Sequence, residues 1–163
     1  MTVLHLRIDN RLIHGQVTVG WVGMLGANEL VVADDNAAQS SLESQLLKAS
    51  ARGVSTQVLA VRAAAEYCLS ESSGGRNVLV VTRSPVEALA LLEDGVRPRE
   101  INVGNQAPSP GVKSKRITKT VAATQSDANS YRRMHELCDT ITCRMMPGDK
   151  ARDMLQLLAK AGL

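Results

Sequence analysis

The chain has 163 residues, 44% of them hydrophobic, enough to bury one core of ordinary size without requiring a second domain. Its aromatic content of 2%, with no Phe, one Trp and two Tyr, removes the stacking platforms on which single-stranded nucleic-acid binders rely. A formal charge of +3 does not demand a polyanionic partner, and no apolar run reaches the ~18 residues that cross a bilayer.

Short aliphatic or β-branched runs alternate with segments of helical period, which predicts an α/β fold with a mainly parallel sheet of six or seven strands. Strands are expected at Val3 to Asp9, Glu29 to Asp34, Ser55 to Val61, Asn77 to Thr82, Ile101 to Val103, Ile117 to Val121 and Thr140 to Met145. The first helix is expected from Gln16 to Leu25, with Trp21 packed on the sheet. The second runs from Ala38 to Arg52, with Leu42, Leu46 and Leu47 on one buried face and Gly53 as its stop. A short helix over Arg62 to Leu69 ends at a Ser72-Ser73-Gly74-Gly75 turn. Ser84-Pro85 with Glu87 opens a fourth helix by the capping-box and N1-proline pattern, and Gly95 closes it. Gly104 to Gly111 is too rich in Gly and Pro to be regular. Tyr131, Met134, Leu137 and Cys138 line a fifth helix, and Ala151, Leu155 and Leu158 line a C-terminal one. No repeat or linker interrupts the chain, so residues 1–163 read as a single domain.

In open parallel sheets, function collects at the carboxyl ends of the strands. The first such end carries Arg7-Ile8-Asp9-Asn10-Arg11-Leu12-Ile13-His14-Gly15-Gln16, a histidine following two arginines at a helix start. The second gives Asp34-Asp35-Asn36, which read as helix caps; the fourth gives Thr82-Arg83-Ser84, and the fifth Gly104-Asn105. The first turn has only Gly15 and so lacks the glycines a dinucleotide fold needs. A receiver domain would want an acidic pair after its first strand and an aspartate after its third, and neither is present.

What remains is a histidine nucleophile with cationic surroundings, suited to accepting a phosphoryl group. Such a transfer needs alignment and positive potential more than covalent help. Arg7 and Arg11 would supply the potential, and the free N–H groups of Gly15 and Gln16 at the helix start would face the anion. The second ring nitrogen of His14 needs a partner to fix its tautomer, for which Asp9 or a backbone carbonyl would serve. Arg7 could instead simply pair with Asp9 or Asp34, and Arg11 could cap a neighbouring helix. His5 alternates with Leu4 and Leu6 and reads as structural, and His135 as solvated. Cys68, Cys138 and Cys143 form no CxxC pair and read as buried thiols. No metal-ligand spacing occurs, so neither metal nor cofactor is expected. The basic stretch from Arg97 to Lys119 is either a solvated face or a docking surface for an acidic partner. With no secretory signal at the N-terminus, a cytoplasmic location is expected.

The His14 motif, together with Val31-Val32-Ala33-Asp34-Asp35, the Ser84-Pro85 helix start and Ile101-Asn102-Val103-Gly104-Asn105, resembles the IIB components of the bacterial phosphoenolpyruvate-dependent sugar phosphotransferase system, mannose/fructose/sorbose family. The resemblance spans essentially the whole chain. It implies a three-layer α/β/α sandwich with strand order 3-2-4-1-5-6, which would bring Thr82, Arg83, Ser84, Gly104 and Asn105 around His14. It further implies that His14 takes a phosphoryl group on Nδ1 from a IIA phosphohistidine and passes it to a sugar held by the membrane components IIC and IID. Arg11 matches a phosphate-stabilising arginine, and Arg7, Asp9 and Gln16 fall on recurrent motif positions; Thr82 and Ser84 are expected to help bind the phosphate. Asn10 stands where many relatives have an acid, and Gln106-Ala107-Pro108-Ser109-Pro110 departs from a Gly-Met type loop. A different reading of the same domain is a regulatory module, signalling through contacts instead of delivering phosphate to sugar. Neither nucleic acid nor membrane insertion is expected, and the identity of the sugar lies with the membrane subunit.

Overall fold

A computed structural model describes residues 3–70 and 75–163. Among them, seven strands build the main sheet: β1 (Val3–Asp9), β2 (Glu29–Ala33), β3 (Ser55–Leu59), β4 (Asn77–Thr82), β5 (Ile101–Asn105), β8 (Ile141–Cys143) and β9 (Arg152–Asp153). Their order is β3-β2-β4-β1-β5-β8-β9, parallel up to β8 and antiparallel only where β9 joins β8. The central strands are near-continuous apolar runs because both faces are covered: every residue of β2 is buried, as are Val78 to Thr82 of β4. β3, at the edge, carries Ser55, Thr56 and Gln57 and is only partly buried.

Helices cover the two faces as separate layers. On one side α1 (Gly15–Leu25), α2 (Asp35–Gln39) and α3 (Ser41–Ser50) bury Trp21, Ala37 and Leu47 against Leu30, Val32, Leu79 and Val81. On the other, α4 (Val61–Leu69), α5 (Pro85–Glu93), α6 (Gln125–His135) and α7 (Met154–Lys160) enclose the larger core with Leu91, Tyr131, Met134 and Leu158. The result is the expected three-layer sandwich, and β3-β2-β4-β1-β5 follows the implied order. β1 lies at the centre, which places its carboxyl end amid those of β4 and β5.

Several expectations are corrected. Ile117 to Val121 is a turn, not a strand: Thr118 and Thr120 hold it through local bonds, and it joins a two-stranded antiparallel hairpin of β6 (Lys115–Arg116) and β7 (Ala122–Ala123) outside the main sheet. The single helix expected from Ala38 to Arg52 is two, because Asp34 caps Ala37 N–H at 2.7 Å and Ser40, in extended conformation, caps Glu43 N–H at 3.1 Å. Within α3, Leu42 and Leu46 face solvent, 69% and 59% exposed, and only Leu47 of the expected face is buried. β5 runs on through Gly104 and Asn105, which were expected to be loop. Leu137 and Cys138 follow α6 instead of lying on it, and α7 buries Met154, Leu157 and Leu158 while Ala151 precedes it exposed. Of the expected Ser72 to Gly75 turn, Ser72, Ser73 and Gly74 lie outside the described residues.

Candidate functional site

After β1 the chain turns sharply. Leu12 N–H returns to the Asp9 carbonyl at 2.8 Å, and Leu12 takes a positive φ of 60°, a conformation costing a non-glycine residue about 1–3 kcal/mol. Burial offsets the cost: Leu12 and Ile13 sit at 2% and 6% exposure in the α1-side core. With these two anchored, His14 is pushed out as the exposed N-cap of α1. Its backbone N–H donates to Thr18 Oγ1 at 2.9 Å. Gly15 follows with φ of 39° and open space where a side chain would be, so a ligand on His14 meets bare backbone. Among the described residues the N–H groups of Gly15 and Gln16 have no intramolecular partner, whereas those of Val17 and Thr18 return to the His14 carbonyl. Helix α1 thus begins with two free donors beside an exposed imidazole.

Behind the loop, Arg7 and Arg11 share one carboxylate. Asp9, fully buried, accepts from Arg7 at 3.1 Å and from Arg11 through Nε at 3.0 Å, a terminal nitrogen at 2.9 Å and the backbone N–H at 3.0 Å. Two guanidinium groups against one carboxylate leave one formal positive charge. Arg7 is 2% exposed; besides Asp9 it donates to Asn102 Oδ1 and lies 5.2 Å above the Trp21 ring. Burial lowers its pKa from the ordinary arginine value, with the Asp9 carboxylate acting against that loss. Arg11 is 30% exposed, and its NH1 carries no hydrogen bond among the described residues. Trp21 Nε1 donates to the Met145 carbonyl at 2.9 Å, tying α1 to the segment after β8, while Met145 Sδ lies 3.4 Å from Arg11.

The opposite rim is built differently. Arg83 donates to Asp34 at 2.8 Å, to Glu43 at 2.8 Å and to the Asn10 carbonyl at 3.3 Å, using all three nitrogens. One guanidinium against two carboxylates leaves one formal negative charge. Burial works to raise the Asp34 carboxyl, but the Arg83 and Ala37 hydrogen bonds outweigh it and hold the pKa below the usual value. Glu87 accepts from the N–H groups of Arg83 and Ser84; burial, and then Asp34, raise its carboxyl. Asn10 closes the rim by accepting from Asn105 Nδ2 and from Ala107 N–H. A cleft of about 480 Å³ opens beside it, lined by Asn10, Arg83, Ser84, Gln106, Ser109 and Thr124.

His14, Gly15 and Gln16 form the start of α1 and Arg11 lies three residues before it, bonded with Arg7 into one cluster on Asp9. Arg7 lies beneath the surface, paired with Asp9 as one reading of the sequence allowed and donating to Asn102, so any potential it supplies acts from below. Asp9, expected to orient His14, spends its carboxylate on the two arginines. Thr82 is fully buried and its hydroxyl donates to the Ser84 carbonyl at 3.3 Å, so it cannot meet a ligand. Ser84 is the N-cap of α5 and lines the cleft. Gly104 lies against the Arg7 guanidinium. Asn102, Trp21 and Met145 were missed as parts of the site; the available signal for Asn102 was an amide inside the buried run Ile101 to Val103, since a buried amide must have a partner.

The remaining candidates are accounted for. His5 is half-buried in β1, and His135 is exposed in the last turn of α6. The three cysteines are buried and unpaired, with burial pushing Cys68 up to about 11. In the basic stretch, Arg97 donates to the Leu92 and Val96 carbonyls, Lys115 to those of Ala161 and Gly162, and Arg116 to that of Lys119. Among the described residues no helix is long and apolar enough to cross a membrane, and no side-chain group is arranged to hold a metal ion.

Comparison with known proteins bears on this geometry. The family model described as PTS system sorbose subfamily IIB component matches residues 3–163. The N-acetylgalactosamine-specific phosphotransferase enzyme IIB component 2 of Escherichia coli (strain K12) is 31% identical over 153 residues, 93% of this chain and 96% of that protein. The mannose-specific EIIAB component of the same organism is 25% identical over 155 residues, covering 94% of this chain but 47% of its own length. The crystal structure of the IIBSor domain of the sorbose permease from Klebsiella pneumoniae superposes with a TM-score of 0.90 at 25% identity, covering 98% of each chain.

Proposed function

Because the chain belongs to the family of PTS system sorbose subfamily IIB components, we propose that it is a cytoplasmic phosphocarrier whose His14 takes a phosphoryl group from a phosphohistidine on a IIA protein or domain. His14 then delivers it to a sugar held by the membrane components IIC and IID, which makes the chain a protein-phosphohistidine–sugar phosphotransferase. The partnership with IIA is supported by the E. coli mannose relative, whose name joins A and B in one chain.

The observation that carries the reading is an exposed imidazole at the start of α1, three residues from Arg11, whose free NH1 belongs to a cluster of net positive charge. In the accepting step, the lone pair of the unprotonated ring nitrogen, Nδ1 by the resemblance, attacks phosphorus. A new N–P bond forms as the one on the donor histidine breaks. In the delivering step a sugar hydroxyl oxygen attacks as its proton passes to a base of the membrane component or to water, an O–P bond forms, the N–P bond on His14 breaks and His14 regains its lone pair. In the transition state of each step the transferred group is close to metaphosphate with its charge on three oxygens. Arg11 NH1 and the Gly15 and Gln16 N–H groups are the donors free to meet those oxygens. They are fixed before the reaction by Asp9 and by the buried Leu12 and Ile13, so little reorganisation accompanies the transfer.

Incubating the chain with radiolabelled phospho-IIA tests this. The label on the chain is expected to be acid-labile and base-stable and to be absent from His14→Ala. Failure of the wild-type chain to take label from several such donors would contradict the proposal.

A further inference from the structure

The charged cluster behind His14 rests on β5, and the residues that seat it reach no reacting atom. The β1–β5 register sets Arg7 beside Asn102, then shifts between Ile8 and Asp9 so that Gly104 is the extra residue of a bulge. The Arg7 guanidinium lies over that glycine: a Cβ on Gly104 would stand 2.0–2.3 Å from its Cζ and its two terminal nitrogens, closer than atoms can approach. Since Gly104 is not among the residues of positive φ, backbone conformation does not require glycine here; space for Arg7 does. Asn102, 3% exposed, is used from both ends, accepting from Arg7 at Oδ1 and donating through Nδ2 to the Arg144 carbonyl at 3.2 Å. With the Trp21 ring on its far side and Asp9 ahead, Arg7 has no second seat of equal quality.

We propose that Gly104 and Asn102 are positioning residues for the transfer at His14: they seat Arg7, Arg7 holds Asp9, and Asp9 presents the free edge of Arg11 to the phosphoryl group. The inference rests on the phosphocarrier reading. Its content is a chain of contacts running 95 residues apart in sequence, from β5 to the His14 loop, that acts only through Arg11. Displacing Arg7 would leave Asp9 paired with Arg11 alone, which cancels the surplus positive charge and frees the fork to turn.

The test is transfer from radiolabelled phospho-IIA to Gly104→Ala and Asn102→Ala, each alone and combined with Arg11→Ala, below the melting temperature of every variant. Small misplacements of a catalytic group cost up to about a hundredfold in rate, so each single variant is expected to lose about ten- to a hundredfold in kcat with the KM for phospho-IIA nearly unchanged. In the Arg11→Ala background neither substitution is expected to lower the rate further, which a merely structural defect would not reproduce. The emission of Trp21, the only tryptophan, is expected to shift in both single variants because Arg7 leaves its ring. Should Gly104→Ala fail to fold, Asn102→Ala carries the test, since it introduces no clash. Wild-type rates in the single variants, or losses that persist in full without Arg11, would overturn the positioning role while a labelled wild type leaves the phosphocarrier reading standing. A wild type that takes no label would overturn both.

Discussion

Arg11, after β1, and Arg83, after the neighbouring β4, stand at the same sheet end, with side chains exposed to nearly the same degree, 30% and 35%. Arg83 is saturated: Asp34, Glu43 and the Asn10 carbonyl use all its nitrogens, and the cluster around it is net negative. Arg11 shares its one carboxylate with a second arginine, has no partner for NH1 among the described residues and belongs to a cluster that is net positive. Accessibility therefore does not distinguish the two. Residual charge and an unspent donor do, and both favour the rim that carries His14.

That contrast can be broken by substitution. The largest effect is expected for His14→Ala, which should abolish transfer of label from phospho-IIA, because no other imidazole has these surroundings. Next, Arg11→Ala should slow transfer by about one to three orders of magnitude, the scale for losing an electrostatic stabiliser, as measured by single-turnover labelling. Arg83→Ala should leave transfer within about threefold of wild type yet lower unfolding stability by about 2 kcal/mol in denaturant titration, between the values for surface and buried pairs, because Asp34 loses its partner. A rate loss at Arg83 matching that at Arg11 would erase the distinction.

Acid titration sharpens it further. The Asp34 carboxyl is depressed on folding, so its contribution is present above its unfolded pKa near 4 and is lost as pH falls through the lower folded value. Asp34→Asn should therefore flatten the stability profile below about pH 4 while leaving labelling at neutral pH intact. The smallest effect is expected at Thr82: Thr82→Val should not change transfer measurably and should cost about 1 kcal/mol for one buried hydrogen bond.

Reading the chain as sequence located β1 to β5 to within about two residues at each end, because strands buried on both faces are apolar runs with sharp limits. The division of the second helix was also written there: Ser40-Ser41-Leu42-Glu43 carries the S-x-x-E pattern of a helix start two residues into the span expected as one helix. At the site, the placing of His14 at the start of α1 with Arg11 just before it was legible because these residues are continuous in sequence; their roles remain a proposal. The pairing of Arg7 with Asp9 was among the readings the sequence offered, whereas its bond to Asn102 was not legible, because it depends on the register of a strand 95 residues away. Thr82 failed for a related reason: its position at a strand end was read as access, whereas every residue from Val78 to Thr82 is covered.

The central claim is that His14 itself carries the phosphoryl group. The chain has three histidines, so nitrogen-resolved NMR of histidine-labelled protein, held phosphorylated by excess phospho-IIA, assigns the acceptor directly. The account predicts that the ring nitrogens of His14 alone shift and show coupling to phosphorus, while those of His5 and His135 stay in place. Phosphorus on either of those rings, or an unshifted His14 in protein that demonstrably carries the label, would contradict it.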